Sequence, residues 1–201
     1  MHLPQEFYLR PTITVARELV GALVRRGPVT LRITETEAYL PGDSACHAAR
    51  GLTPRTRVMF GPGGHAYVYL CYGMHQMLNF VTEREGVGAA VLIRSCEIVK
   101  GYALVSKRRG GLEGPVLLTG PGKVGQALAL DRSMSGWPLF GGGDLEVLEG
   151  IAPARLLCGR RIGVDYARPR DRNALWRFAA ADTAWVSHRG KLKPLRYHQD
   201  A

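Results

Sequence analysis

Apolar and polar positions first alternate regularly between residues 23 and 40. Leu23–Arg26 reads as a short strand, Gly27-Pro28 as a turn, and Val29–Leu40 as a longer returning strand. A period of two puts Ile33, Glu35, Glu37 and Tyr39 on one face of that strand. Before it, Thr12 or Thr14 is suited to cap a short helix running to about Val20, with Gly21 as its stop. Residues 41–65 lose the periodicity and are rich in Pro, Gly and Arg, which predicts an irregular loop. Ala66–Cys71 and Gln76–Val81 regain the strand pattern, with Tyr72-Gly73-Met74 at the apex of a hairpin. Ala89–Arg94 predicts a buried strand that ends at the charge.

The second half is less regular. Lys100–Gly114 predicts a helical piece entering a basic loop, and Thr119-Gly120-Pro121-Gly122 introduces a helix from about Lys123 to Leu130. Asp144–Leu148 and Arg161–Val164 read as strands, Tyr166–Arg172 as a basic loop, and Trp176-Arg177-Phe178 as a last apolar patch. The chain after about Gly190 reads as a loose basic tail. Nothing repeats and no linker divides the sequence, so residues 1–201 are expected to form a single domain of mixed helix and strand.

Composition narrows the class. At 46% hydrophobic and 22% charged residues, disorder of the whole chain is excluded. No apolar run reaches the length of a transmembrane helix, and Met1-His2-Leu3-Pro4-Gln5-Glu6 has no signal-peptide core. The expectation is a cytoplasmic protein, nucleoid-associated if bacterial, with no membrane partner. Lys and Arg total 27 against 17 Asp and Glu, a net charge of +10, which favours a polyanionic partner. The other reading of that charge is a solvated basic surface. The cysteines Cys46, Cys71, Cys96 and Cys158 form no C-x-x-C pair, so no metal site is expected; a zinc site assembled from His47, His65 and a cysteine is the remote alternative.

Candidate chemistry gathers in two segments. Ile33-Thr34-Glu35-Thr36-Glu37-Ala38-Tyr39-Leu40 sets acids among apolar groups, and Tyr67-Val68-Tyr69-Leu70-Cys71-Tyr72-Gly73-Met74 sets aromatics on a hairpin. Together they offer a base, flat stacking faces and an exposed wedge, the parts needed to extract a nucleobase from a duplex. Glu35 and Glu37 lie roughly 6.5–7 Å apart on strand geometry. Glu35 is read chiefly as the partner of an arginine, and otherwise as a second carboxylate of an inverting glycosidase. Tyr67 and Tyr69 are what a strand prefers, and taken alone both read as core. Gly120-Pro121-Gly122-Lys123 is not a Walker A loop, because Leu117 and Val124 stand where that motif needs Gly and Ser or Thr. A helix N-terminus with Lys123 suits a DNA phosphate, and an ordinary helix start is the other reading.

In this order, the Thr34–Leu40 segment, His47, Thr53-Pro54-Arg55, the Tyr67–Met74 hairpin, Asn79, Arg94 and Gly120–Lys123 resemble the alkyladenine (3-methyladenine) DNA glycosylase family of the single-domain mammalian type. The similarity runs from about residue 8 to 189. It implies an α+β fold: one mixed domain with a curved antiparallel sheet, flanking helices and a protruding hairpin. It implies a monofunctional hydrolase without cofactor that acts as a monomer on double-stranded DNA carrying damaged purines. Lesions such as 3-methyladenine and 7-methylguanine, with hypoxanthine and etheno-adenine as further candidates, would be flipped from the duplex. By the same resemblance Glu37 is the general base and Arg94 helps hold the attacking water. Tyr39, His47 and Tyr69 wall the base pocket, and Asn79 crowds the 2-amino group of guanine. Tyr72 fills the gap left by the flipped nucleotide, and Met74, Arg55 and Lys123 complete the DNA contacts. Departures are a loop between Tyr39 and His47 one residue shorter, His75 in place of an aromatic residue, and a poor match over residues 131–160. The competing readings are a damage-binding protein without turnover and an N-glycoside hydrolase of nucleosides or RNA.

Overall fold

The computed structural model describes residues 1–196. Five short helices and nine strands build an α+β domain on an open antiparallel sheet. The helices are α1 (Gln5–Tyr8), α2 (Thr12–Glu18), α3 (Tyr102–Arg108), α4 (Pro121–Ala127) and α5 (Pro169–Asn173). The strands are β1 (Leu23–Arg26), β2 (Val29–Tyr39), β3 (Ala66–Cys71), β4 (His75–Val81), β5 (Ala90–Lys100), β6 (Leu145–Leu148), β7 (Leu156–Gly159), β8 (Arg177–Ala180) and β9 (Lys193–Pro194). They lie in the order β3-β4-β5-β2-β8-β7-β9. β5 runs along one edge of β2. The other edge is divided, with β1 on Val29–Arg32 and β8 on Glu35–Glu37. No described helix is long and apolar enough to cross a membrane.

The main core lies where α2 and α4 cover the sheet, and contains Val15, Leu19, Leu31, Ile33, Phe80 and Ile93. Each such side chain contributes about 1.5–3 kcal/mol by leaving water. Three irregularities interrupt the β2–β5 ladder, the first of which leaves Val99 extra on β5 opposite Thr30 and Leu31. Ile33 pairs with Cys96 and Glu35 with Ser95, leaving Thr34 extra on β2; Thr36 then pairs with Ile93, leaving Arg94 extra on β5. A bulge inserts one residue and so reverses which face the following side chains take. Ile33 therefore does not share a face with Glu35, Glu37 and Tyr39 as strict alternation predicts. It joins the main core with Ala38, and Thr36 Oγ1 donates to Ala16 O on α2 (2.8 Å) on that same side.

Other expectations shift for local reasons. Pro11, not a threonine, precedes α2; Thr12 is buried and meets Thr82 Oγ1 at 3.0 Å instead of capping the helix. Helix α4 starts at Pro121 rather than Lys123, since proline has no N–H to lose in a first turn. β5 continues past Arg94 to Lys100, because the bulge turns that charge toward buried acids. Arg161–Val164 is not a strand. Ile162 N–H is committed to a carboxylate rather than a ladder, and the neighbouring strand is β7. The loop 41–65 holds two 3-10 turns, His47–Arg50 and Arg57–Phe60. The tail is ordered further than expected, with Lys193–Pro194 paired to β7; residues 197–201 lie outside the described residues.

Candidate active site

Strand pairing lines up one row of side chains across five strands. Tyr67 opposes Asn79, Asn79 opposes Leu92, Leu92 opposes Glu37, and Glu37 opposes Arg177. Directly opposed residues in antiparallel pairs share a face, so the row runs from an aromatic end to an ionic end. Tyr69 and Tyr39 add aromatic rings beside it. Loop residues His47, Ile162 and Tyr166 help close the space into a cavity of about 500 Å³, lined also by Asn79 and Arg94.

Glu37 has no exposed surface and sits behind the cavity wall. Its Oε1 accepts from Ile162 N–H at 2.9 Å and lies 3.4 Å from Arg94 Nη1; its Oε2 accepts from the Tyr39 hydroxyl at 3.0 Å. Burial pushes its pKa up, because a carboxylate loses hydration there. Arg94 and the two donors pull the other way, while the nearby Glu35 adds to the rise.

Glu35 is also fully buried and is saturated with partners. Arg177 Nη1 and Ser187 Oγ donate to its Oε1, each at 3.0 Å, and Ser95 Oγ (2.6 Å) and Ser187 N (2.8 Å) donate to its Oε2. Arg94 Nε is 3.6 Å from Glu35 Oε1. The reading of Glu35 as an arginine's partner thus fits the geometry, with two arginines rather than one.

The aromatic wall is held by polar contacts. His47 Nδ1 lies 3.0 Å from the Tyr67 hydroxyl, and its ring meets the Tyr69 ring at 4.5 Å. Burial, Arg55 and Arg50 lower the His47 pKa to about 4, so the imidazole is neutral at pH 7. Asn79 Nδ2 donates to Tyr67 O (3.1 Å) and Met77 O (3.4 Å), which locks its amide against the sheet. Tyr67, expected as core, is buried yet also lines the cavity.

At the hairpin tip Tyr72 is 88% exposed and Met74 71% exposed, an apolar pair with no core to join. Tyr72 and Gly73 have φ of 49° and 71°, and Met74 N–H closes the turn on Cys71 O at 3.1 Å. Two positive φ angles give the turn whose twist matches a hairpin; a tyrosine bears that strain at its first position. Helix α4 braces the hairpin base: a Cβ on Gly125 would lie 2.0 Å from Gln76 O, so only glycine permits this approach.

A basic chain with a buried acid behind an aromatic cavity and a solvent-facing aromatic turn has the parts of a base-excising enzyme. The sequence profile of the family described as methylpurine-DNA glycosylase matches residues 6–184. The chain belongs to the methylpurine-DNA glycosylase family. It is a DNA glycosylase, a hydrolase of the bond between base and sugar. A DNA-3-methyladenine glycosylase of Arabidopsis thaliana is 56% identical over 96% of this chain and 77% of its own length. A Nitrosococcus oceani protein, whose name gives 3-methyladenine DNA glycosylase as a provisional activity, is 52% identical over 96% of both chains. A Methanocella arvoryzae protein named the same way is 47% identical over 93% of this chain and 96% of its own.

Of the residues singled out in the glycosylase sequence, Tyr39, His47, Tyr69, Asn79 and Arg94 line one cavity, with Glu37 directly behind it. Tyr72 reaches the cavity rim. Arg55 also lines the cavity, its guanidinium carbon 5.3 Å from the Tyr69 ring centroid. Lys123 does not line it; it is half-buried on α4, and burial together with Arg109 lowers its pKa. Sequence reasoning missed Arg161, Arg177, Ser187, Asp43 and Tyr166. Arg161 forks onto Asp43 with both Nη atoms and donates to Ala38 O (2.9 Å) and Asp171 O (3.2 Å). Its guanidinium carbon lies 4.6 Å from the Tyr39 ring centroid and 4.9 Å from that of Trp176. Burial works to lower the pKa of Arg161, but the hydrogen bonds and charge of Asp43, with Tyr39 and Glu37, raise it on balance. A lone arginine inside the apolar run Trp176-Arg177-Phe178 was the one available signal for Arg177. Among the described residues no group of three His, Cys, Asp or Glu is arranged to hold a metal ion.

Proposed function

We infer that the protein removes alkylated purines, 3-methyladenine and 7-methylguanine foremost, from duplex DNA by a water that Glu37 activates. The observation that carries this reading is the buried Glu37–Arg94 pair directly behind an aromatic cavity of about 500 Å³. The negative charge of the Glu37 carboxylate stabilises the oxocarbenium-like transition state, and Glu37 takes the proton of the water as it attacks the sugar C1′. Arg94, which touches both the cavity and Glu37, orients that water. Tyr39 and Tyr69 stack on the extruded base, worth about 1–3 kcal/mol for one base. An alkylated purine is already cationic and leaves without a strong protein acid. His47, neutral at pH 7, supplies no such acid for a neutral base such as hypoxanthine, whose excision is therefore slower.

Tyr72 enters the duplex and fills the space of the flipped nucleotide, a role that fits its exposure at a braced turn. Asn79, held by two backbone bonds, is a wall that cannot yield to the 2-amino group of guanine. Among the described residues no lysine lines the cavity, in keeping with hydrolysis and without a Schiff base. One flipped base needs one site, which suits a monomer. The names of the relatives, DNA-3-methyladenine glycosylase among them, support the same substrate class. The test is single-turnover release of both bases from alkylated duplex DNA, with chelator present, by wild type and Glu37→Gln. Release by wild type alone, with lesion binding kept by the variant, is the expected outcome. Equal release by both would remove Glu37 from the chemistry.

A further inference from the structure

Glu35 is the buried acid that the reaction leaves unused. It is bonded to Arg177, Ser95 and Ser187, and through Ser187 it is linked to Arg94. Arg94 Nε donates to Ser187 Oγ at 3.1 Å, and Ser187 Oγ donates to Glu35 Oε1 at 3.0 Å. Arg94 Nε is itself 3.6 Å from Glu35 Oε1, while Nη1 at the far end of the same guanidinium is 3.4 Å from Glu37 Oε1. One planar cation thus spans two carboxylates, anchored at Nε and aimed at Nη1. We propose that Glu35, with Ser187 as relay, is a positioning residue that holds the Arg94 guanidinium against Glu37 for the hydrolytic step. This rests on the reading of Glu37 as the base.

A merely structural Glu35 would need only Arg177, which already donates to Oε1 at 3.0 Å and is itself tied to Ser187 O (3.1 Å) and Arg160 O (2.9 Å). Arg94 stands on a bulge, so the strand ladder alone does not fix its direction. It is also partly open to the cavity. A long side chain at such a point needs a second anchor to keep one geometry. The groups facing Glu37 are Glu35 and Tyr39 on β2, Arg94 on β5, Arg177 opposite on β8, and Arg161 with Ile162 N–H after β7. Of these, Arg94 and Arg177 are both held by Glu35 and Ser187, and of the two Arg94 is the one that reaches Glu37 Oε1 and the cavity.

The experiment measures the single-turnover rate constant for 7-methylguanine release at saturating enzyme, and lesion-DNA Kd, from pH 5 to 9. Wild type, Ser187→Ala, Ser187→Thr, Glu35→Gln and Glu37→Gln are compared. Ser187→Ala removes the relay without changing charge. Its plateau rate should fall at least about tenfold, the cost of a slightly misplaced group, with Kd unchanged and with Ser187→Thr restoring the rate. A loosened Arg94 stabilises the Glu37 carboxylate less, so the acid limb should move to higher pH. Glu35→Gln should move it the same way even though a nearby negative charge is lost. An unchanged plateau and limb in Ser187→Ala would overturn the proposal. So would a limb in Glu35→Gln that moves to lower pH with the plateau kept, since Glu35 would then act by charge alone. Should Glu35→Gln not fold, Ser187→Ala decides by itself. A Glu37→Gln variant with wild-type rate would sink the general base and this proposal with it. An inactive Glu37→Gln beside an unaffected Ser187→Ala sinks only the positioning role.

Discussion

Gly125→Ala tests the packing that supports the hairpin proposed to enter DNA. The added Cβ would lie 2.0 Å from Gln76 O on β4, an atom of the backbone with no rotamer to change. Real Cβ atoms stay beyond 3.0 Å, so α4 must retreat by about 1 Å. A gap of that size forfeits roughly a quarter to a half of the dispersion attraction along the contact. Overpacking of this kind costs about 1–3 kcal/mol, and a rigid backbone neighbour places the case at the upper end. Alanine recovers about 1 kcal/mol of helix propensity. The net loss is then roughly 2 kcal/mol, or about 4–8 °C in Tm for a chain of this length. Urea denaturation followed by circular dichroism measures it. Gly122→Ala is the control: its Cβ would meet the His75 ring at 2.8 Å, a side chain that can turn aside, so its loss should be smaller. Because α4 braces the base of the hairpin, lesion-DNA affinity should fall for Gly125→Ala more than for Gly122→Ala. A Gly125→Ala protein as stable as wild type would show that the approach of α4 to β4 is not tight, and the account of the braced hairpin would fail.

Three further outcomes are expected. Arg161→Met leaves Asp43 buried and unpaired, which costs about 3–5 kcal/mol; adding Asp43→Asn should recover part of it, and additive losses by denaturation would contradict the fork as described. His47 has a pKa depressed to about 4 in the folded state against about 6.5 in the unfolded chain. The unfolded chain therefore binds the extra proton first, and stability falls as pH drops from about 6.5 to 4. His47→Asn should flatten that slope, whereas an NMR titration of His47 near 6.5 would refute the assignment. Tyr72→Ala should weaken lesion-duplex binding and slow excision while changing stability by no more than about 0.5 kcal/mol, as for a surface site; full activity on duplex DNA would remove the wedge role.

Much of the site was legible because its signals are local. Period-two alternation marks β1 to β4, and the exposed tyrosine-glycine turn between two such runs marks the hairpin. Glu37, Tyr39, Tyr69 and Tyr72 fall within those segments, and their resemblance to a family needed only residue type and order. The strand at 156–159 carried no such signal, since its four residues, Leu156-Leu157-Cys158-Gly159, show no alternation.

The partners of these residues were not legible. Glu35 is joined to Arg177 and Ser187 across 142 and 152 residues, Glu37 to Ile162 across 125, and Arg161 to Asp43 across 118. Periodicity reports which face a residue takes over a few positions. It is silent on which distant strand will lie alongside. That was decided by the sheet order, which sets β8 against the second half of β2, and by the bulges at Thr34 and Arg94. The inserted Thr34 turned Ile33 to the core and left the two acids facing inward, and the inserted Arg94 placed its guanidinium between them. The sequence by itself determined the chemical groups and the hairpin that presents an aromatic ring to solvent. Only the tertiary structure decided how the charges pair, because ionised groups buried without water must find opposite charges in space rather than along the chain.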